Sequence, residues 1–267
     1  MSTIIAELHN QLTTLKLSVC LAQHQSIAER MEKEGASHLD YLHELMLREC
    51  EQRHQKRLES LLKSAHLPRN KLLSDFDLTR FPGFPASLVL SMASGDFIDR
   101  YENILIFGNP GTGKSHLSIA LAREWCLMGR RVRFYTAANL VQYLLQAKAK
   151  LQLTQMIKQL DRYEILVIDD ISYVPFDKSE TDVLFTLLSE RYETRSLLIT
   201  SNLPFSGWDS IFKDQMTTHA AIDRLVHHAA ILELNAPSYR AEHAKAKQTQ
   251  GLKTTLKKTP KSEPPMA

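Results

Sequence analysis

The chain holds 267 residues, enough for one full α/β domain and a smaller attachment, since domains usually hold roughly 100 to 200 residues. Hydrophobic residues at 43% and charged residues at 24% exclude wholesale disorder, and a net charge of +3 is too small for bulk basicity to identify a nucleic-acid binder. No apolar run approaches the roughly 18 residues that cross a bilayer, and Met1 to Asn10 lacks a basic segment followed by an apolar one, so a cytoplasmic protein without membrane contact is expected.

Residues 1–73 read as a small all-helical unit. Ile4, Leu8, Leu12 and Leu15 recur at helical spacing, and after Gly35 a second set follows in Leu39, Leu42, Met46, Leu58, Leu61 and Leu62. Ser37 with Asp40 three residues on resembles a capping box. From Arg48 to Lys71 bases outnumber acids, and Arg53, Lys56 and Arg57 form the tightest cluster, the candidate contact to DNA phosphates. These arginines fall on more than one helix face, and a solvated charged helix is the plain alternative. Lys148 and Lys150 are the fallback.

Residues 74–100 read as a linker and domain entry, interrupted by Asp75, Asp77, Pro82, Gly83 and Pro85. Over 101–240 short apolar strands alternate with amphipathic helices, the pattern of a parallel sheet covered on both faces. Strands are expected at Asn103 to Phe107, Val132 to Tyr135, Ile165 to Asp169, Leu197 to Thr200 and Ala230 to Leu234. Helices are expected near Lys114 to Met128, Ala138 to Gln146, Leu153 to Leu160, Ser179 to Tyr192 and Ala220 to His227. Residues 241–267 turn polar and lysine-rich and are expected to be a basic disordered tail.

Chemistry concentrates in Gly108-Asn109-Pro110-Gly111-Thr112-Gly113-Lys114-Ser115, a complete GxxxxGK[ST] directly after an apolar strand and ahead of a helical stretch. Such a loop wraps a triphosphate with inward backbone N–H groups; Lys114 reaches the β- and γ-phosphates and Ser115 ligates Mg²⁺. His116 completes the expected nucleotide-binding set. The strand Ile165 to Ile168 ends in Asp169, the candidate second Mg²⁺ ligand, and Asp170, the candidate base for the attacking water. The next strand ends in Ser201-Asn202, where the Asn202 amide can orient that water, although a turn residue before Pro204 has the same look. Arg224, at the end of a short helix, is the candidate arginine finger, with Arg191 and Arg195 competing. Cys20, Cys50 and Cys126 show no zinc-site spacing and fit a reducing compartment. His219, His227 and His228 have no carboxylate or cysteine at metal-ligand spacing and read as surface or capping residues.

Taken in order, Gly108 to Ser115, Leu166-Val167-Ile168-Asp169-Asp170, Ile199-Thr200-Ser201-Asn202-Leu203-Pro204, Asp223-Arg224-Leu225 and Ser238-Tyr239-Arg240 resemble the IstB-like ATPases, helper proteins of a class of bacterial transposons. DnaC-type helicase loaders are their close relatives. The resemblance covers roughly Leu39 to Arg240. It implies an AAA+ P-loop NTPase with five parallel strands in 5-1-4-3-2 order and little or no C-terminal helical lid. It further implies ATP and Mg²⁺ as cofactors, ATP hydrolysis, homo-oligomers on duplex DNA and delivery of that DNA to a cognate transposase. It assigns Asn202 as sensor 1 and Arg224 as a finger acting in trans, and it offers Arg240 as a candidate sensor-2 arginine. The competing readings are a replicative helicase loader and, from another class, a small-molecule kinase, for which the sequence offers no lid.

Overall fold

A computed structural model describes residues 3–68, 71–81, 86–172, 176–212 and 214–242. The lysine-rich stretch from 243 onward, Arg69, and Pro82, Gly83 and Pro85 lie outside the described residues. Two compact units divide the chain, one up to Lys63 and one from Ser64 onward.

The first unit contains α1 (Thr3–Thr14), α2 (Ser18–Lys33) and most of α3 (His38–Ala65). The expected capping box is present: Ser37 Oγ accepts from Asp40 N–H at 3.2 Å while the Asp40 carboxylate accepts from Ser37 N–H at 3.0 Å. The apolar cluster is small, built on Cys20, Ile27 and Leu45. A buried carboxylate holds the start of α2. Glu49, only 3% exposed, accepts from the N–H groups of Val19 and Cys20 at 2.8 and 3.3 Å, and Arg53 pairs with it at 3.0 Å. Burial pushes the Glu49 carboxyl up, but the hydrogen bonds from Arg53, Val19 and Cys20 prevail and leave it below its ordinary value.

The second unit carries one parallel sheet of β1 (Asn103–Gly108), β2 (Val132–Thr136), β3 (Ile165–Asp169), β4 (Ser196–Ser201) and β5 (Ala229–Leu234), in the order β2-β3-β4-β1-β5. This is the expected 5-1-4-3-2 order. Strands β1, β3 and β4 are buried almost throughout, whereas the edge strands β2 and β5 alternate buried with more accessible positions, as one-sided neighbours require. Leu105, Phe107, Leu166, Ile168, Leu197 and Ile199 share a cluster with α7 (Ala137–Ala149), α9 (Lys178–Arg191) and α11 (Gln215–Val226). Strand pleating turns the alternate residues to the other face, where α6 (Lys114–Leu127) packs on β1 to β4. The short α8 (Leu153–Leu160) and α10 (Asp209–Phe212) complete the cluster side.

The span read as an interrupted linker is structured where described. Single 3-10 turns occupy Leu73–Asp75 and Leu78–Arg80, followed by α4 (Ala86–Ala93) and α5 (Asp96–Asp99). The first turn and α4 pack on α6, and the Trp125 indole N–H donates to the Met92 carbonyl at 2.8 Å. Helix α11 starts five residues ahead of the expected Ala220, because Asp214 caps it through Thr217 N–H at 2.7 Å, a start signal the apolar spacing does not carry.

Candidate nucleotide site

Parallel strands place all their C-terminal ends on one edge, and the order 5-1-4-3-2 puts β4 between the two acid- and phosphate-binding segments. Thr200 on β4 pairs with Ile106 of β1, two residues before the glycine-rich loop, and lies beside the end of β3. Its hydroxyl therefore meets both acids. Thr200 Oγ1 donates to Asp169 Oδ1 at 2.8 Å and accepts from Asp170 N–H at 2.7 Å. Asp170 takes a left-handed conformation, φ +61°, which aspartate tolerates better than most side chains.

Two residues past that bend, Ser172 links Asp170 to Asn202. Its hydroxyl is 3.2 Å from Asp170 Oδ1, contacts Asn202 Oδ1, and accepts from Asn202 N–H at 2.9 Å. A hydroxyl has one proton, so it serves the carboxylate or the amide oxygen but not both at once. Thr200 and Ser172 escape sequence reasoning. Thr200 could have been found from its place one strand over from Asp169; nothing in the sequence marks Ser172.

The loop requires glycine at Gly108, where a Cβ would lie 2.6 Å from the Leu234 backbone oxygen, and at the two glycines that follow. Gly111 has φ +85° and a Cβ there would collide with Ser238 Oγ; Gly113 has φ +108° and a Cβ would lie 3.0 Å from the Phe76 ring. Pro110 follows Asn109, whose carbonyl accepts from Thr112 Oγ1 at 2.9 Å. Lys114 opens α6 and is buried; its ammonium donates to the carbonyls of Gly108 and Asn109 at 2.7 and 3.1 Å. Burial lowers its pKa, while Asp170 and Asp169 oppose that shift and Arg240 adds to it, so all four charges share one field. Ser115, at the second position of α6, sits beside it. The cradle of left-handed glycines, the helix N-terminus and a buried lysine backed by two carboxylates fit a polyphosphate with a divalent cation.

Two chain segments clasp the loop. His116 Nε2 is 2.9 Å from the Leu72 carbonyl oxygen and its ring meets Phe76 edge-on. On the other side, Tyr239 N–H donates to Gly111 O at 3.0 Å. Arg80 joins the segments: it donates to Pro237 O at 3.0 Å, pairs with Glu242 at 2.5 Å and lies over the Tyr239 ring. Arg240 itself is exposed.

The arginines separate by environment. Arg191 is 0% exposed and donates to the carbonyls of Leu160, Tyr163 and Ser196 at 3.0 to 3.2 Å; burial pushes its pKa down to about 9. A guanidinium so enclosed cannot reach a second molecule. Arg195 donates to the carbonyl of Asp161 at 3.0 Å. Arg224 sits half-buried in the last turn of α11, donating to Ser189 Oγ at 2.9 Å and lying 4.9 Å from the Phe185 ring centre. In the helical unit, Arg53 also donates to Lys16 O at 2.9 Å, and Lys56 donates to Gln52 at 3.1 Å, so Arg53 works in the fold while Lys56 and Arg57 stand on the exposed side.

Residues 10–247 match the family described as IstB-like ATP binding protein. The chain is 41% identical over 248 residues to an insertion sequence ATP-binding protein of Sinorhizobium fredii, covering 92% of this chain and 83% of that one. It is 36% identical over 234 residues to the insertion sequence IS21 ATP-binding protein of Pseudomonas aeruginosa, covering 88% of each. Among solved structures, DnaI superposes with a TM-score of 0.53 at 20% identity, covering 68% of this chain and 98% of that one. Domain III of the Thermotoga maritima replication initiation protein DnaA gives 0.54 at 17% identity, covering 70% and 76%. At such identities these two likenesses speak for the AAA+ fold alone.

Proposed function

Since the chain belongs to the IstB-like ATP-binding protein family, we propose that it is an ATPase that helps an insertion-sequence transposase, assembling on target duplex DNA with ATP and using hydrolysis to control delivery of that DNA. The names of its relatives tie them to insertion sequences and to ATP, which favours this reading over a helicase loader. The observation that carries hydrolysis is the Thr200 hydroxyl, which holds the side chain of Asp169 and the backbone of Asp170 at the end of β3, with Lys114 in the same field.

In this reading, Gly108 to His116 hold the nucleotide and Lys114 offsets much of the negative charge on its phosphates. Ser115 and Asp169 hold Mg²⁺, which supplies charge neutralisation at the phosphates. Asp170 accepts the proton of the attacking water, and Asn202 orients that water, each able to shift as the Ser172 proton moves between them. Arg224 leaves Ser189 to serve a neighbouring protomer, and Arg240 contacts the nucleotide from the segment that Arg80 ties down. Lys56 and Arg57, with Arg53 behind them, meet DNA phosphates. The boundaries of function follow the chain: residues 1–73 for DNA or partner, 74–100 for domain entry, 101–240 for ATP and 241–267 as a basic tail.

The test compares two variants for ATP binding, turnover and assembly on duplex DNA. Lys114→Ala should fail to bind ATP and fail to assemble. Asp170→Asn keeps the shape and the left-handed conformation but loses the base, so it should bind ATP, hydrolyse it at least about 100-fold more slowly and accumulate assemblies on DNA. Wild-type turnover in Asp170→Asn would remove Asp170 as the base and turn attention to Glu180 or Glu190. Undiminished assembly in Lys114→Ala would overturn the ATP-dependent reading.

A further inference from the structure

The opposite edge of the sheet carries a second cluster of chemistry. Glu193 lies in the turn between α9 and β4, and His227 and His228 fill the turn between α11 and β5. Both turns precede strands, whereas the glycine-rich loop and both acids follow them, so parallel pairing puts this cluster at the far end of the sheet from the nucleotide site. Glu193 is 34 residues from His227 in sequence, and the fold brings it to both histidines.

We propose that Glu193, His227 and His228 form a binding site for a divalent transition metal of the zinc class. Among the described residues they are the one group of three such side chains whose ligand atoms all lie within 4.8 Å of one another. His227 Nδ1 and His228 Nε2 are 3.6 and 3.7 Å from Glu193 Oε1. Donor atoms around a tetrahedral zinc with bonds of about 2.0–2.1 Å lie about 3.4 Å apart, so two of the three edges are nearly formed. The side chains are about half exposed, at 52%, 50% and 53%, which leaves the rings room to close the third.

The ligands are held by backbone that other interactions already fix. His228 O accepts from Asn103 N–H at 2.7 Å, His227 N–H donates to Asp223 O at 3.0 Å, and Glu193 lies between Tyr192 and Thr194, whose N–H groups donate to Ser189 O and Arg191 O at 3.3 and 3.1 Å. A fixed backbone lowers the ordering cost of binding. Two imidazoles and one carboxylate are borderline donors that suit zinc, and they bind copper and nickel as well. Three protein ligands leave a fourth position for water. The Tyr192 hydroxyl, 2.9 Å from His227 Nδ1, gives up that nitrogen when the ion binds. A bound ion clips the turn before β4 to the turn before β5, and so fixes the end of α11, the helix that presents Arg224.

The test is calorimetric titration of zinc chloride into the full chain without nucleotide, at neutral pH, with circular dichroism as a check of folding. The parent should bind one equivalent that the double variant His227→Ala/His228→Ala loses, and Glu193→Gln should weaken that equivalent about tenfold. Cys50→Ser, which removes the exposed thiol, should keep it. Zinc should raise the melting temperature of the parent and not of the double variant. The site is refuted if the parent binds no equivalent, if the folded double variant retains it, or if Cys50→Ser removes it.

Discussion

The two units use the same kinds of residue in different ways. At the nucleotide edge, polar groups sit at strand ends, where backbone pairing between β1, β4 and β3 sets their spacing before any side chain is considered. Their hydrogen bonds are few and converge on Thr200 and Ser172. In the helical unit, charges are spread along α2 and α3 and several are engaged in the fold: Glu44 of α3 pairs with Arg30 of α2 at 3.0 Å and, within α3, with Arg48 at 2.8 Å, while Glu49 of α3 accepts from the first N–H groups of α2 and pairs with Arg53 of its own helix. An arginine on a helix therefore tells little by itself, whereas a glycine in a left-handed loop tells a great deal. The helical unit compensates for its small apolar cluster with polar ties, and it leaves Ile4, Leu15, Leu39 and Leu42 more than half exposed.

If backbone pairing sets the nucleotide site, removing the one hydroxyl that both acids share should cost the most. Thr200→Val keeps the shape of the side chain on a buried strand and deletes both hydrogen bonds. ATP turnover is expected to fall about 10- to 100-fold while nucleotide binding persists, with a stability loss of about 1–3 kcal/mol from the unpartnered Asp170 N–H. Turnover within twofold of the parent would show that the acids are held without Thr200.

The helical unit should respond to a different kind of change, one of stability rather than chemistry. Arg53→Ala leaves Glu49 buried with its two backbone donors but without its cation, so unfolding of this unit should become easier by about 1–3 kcal/mol, read by thermal or urea melts. The pH dependence has a definite sign. The Glu49 carboxyl lies below its ordinary value in the fold, so its stabilising effect is complete above the unfolded value of about 4.3 and disappears as pH falls through the folded value. Glu49→Gln should flatten the acid limb of the melting curve. An unchanged acid limb would place the acid sensitivity elsewhere, with Glu44 next because its two arginines also hold it low.

Much of the nucleotide unit was legible because its signals are local. Gly108 to Ser115 must be glycine-rich to bend, and the apolar runs of β1, β3 and β4 end where their acids or amides begin. The strand boundaries agree within a residue, and Leu153–Leu160 agrees at both ends. What was not legible depends on tertiary proximity. Phe76 under Gly113 and Ser238 over Gly111 come from segments 37 and 127 residues away, and an interrupted stretch of Asp and Pro gives no sign that it will pack on a glycine-rich loop. Arg191 looks like any surface arginine until the fold encloses it. Glu193 and the two histidines are likewise joined only by the fold.

The smallest expected effect bears on DNA, and it sharpens the comparison by separating the charges that build the helical unit from those left over. Arg53, Lys56 and Arg57 lie within five residues of one another, but only Arg53 is tied to a buried carboxylate and to the turn after α1. A triple alanine variant would mix impaired folding with impaired binding, so the informative pair is Lys56→Ala/Arg57→Ala, whose folding should match the parent. Removing one cation from a phosphate reduces the dependence of log affinity on log salt by about 0.9, so the double variant should flatten that slope by at most about 1.8 for duplex DNA in the presence of ATP. Affinity should weaken similarly for all DNA sequences, since phosphates carry no base information. An unchanged slope with assembly intact would move the DNA surface to the nucleotide unit, where Lys148 and Lys150 lie at the end of α7, and would leave the exposed side of α3 for a protein partner.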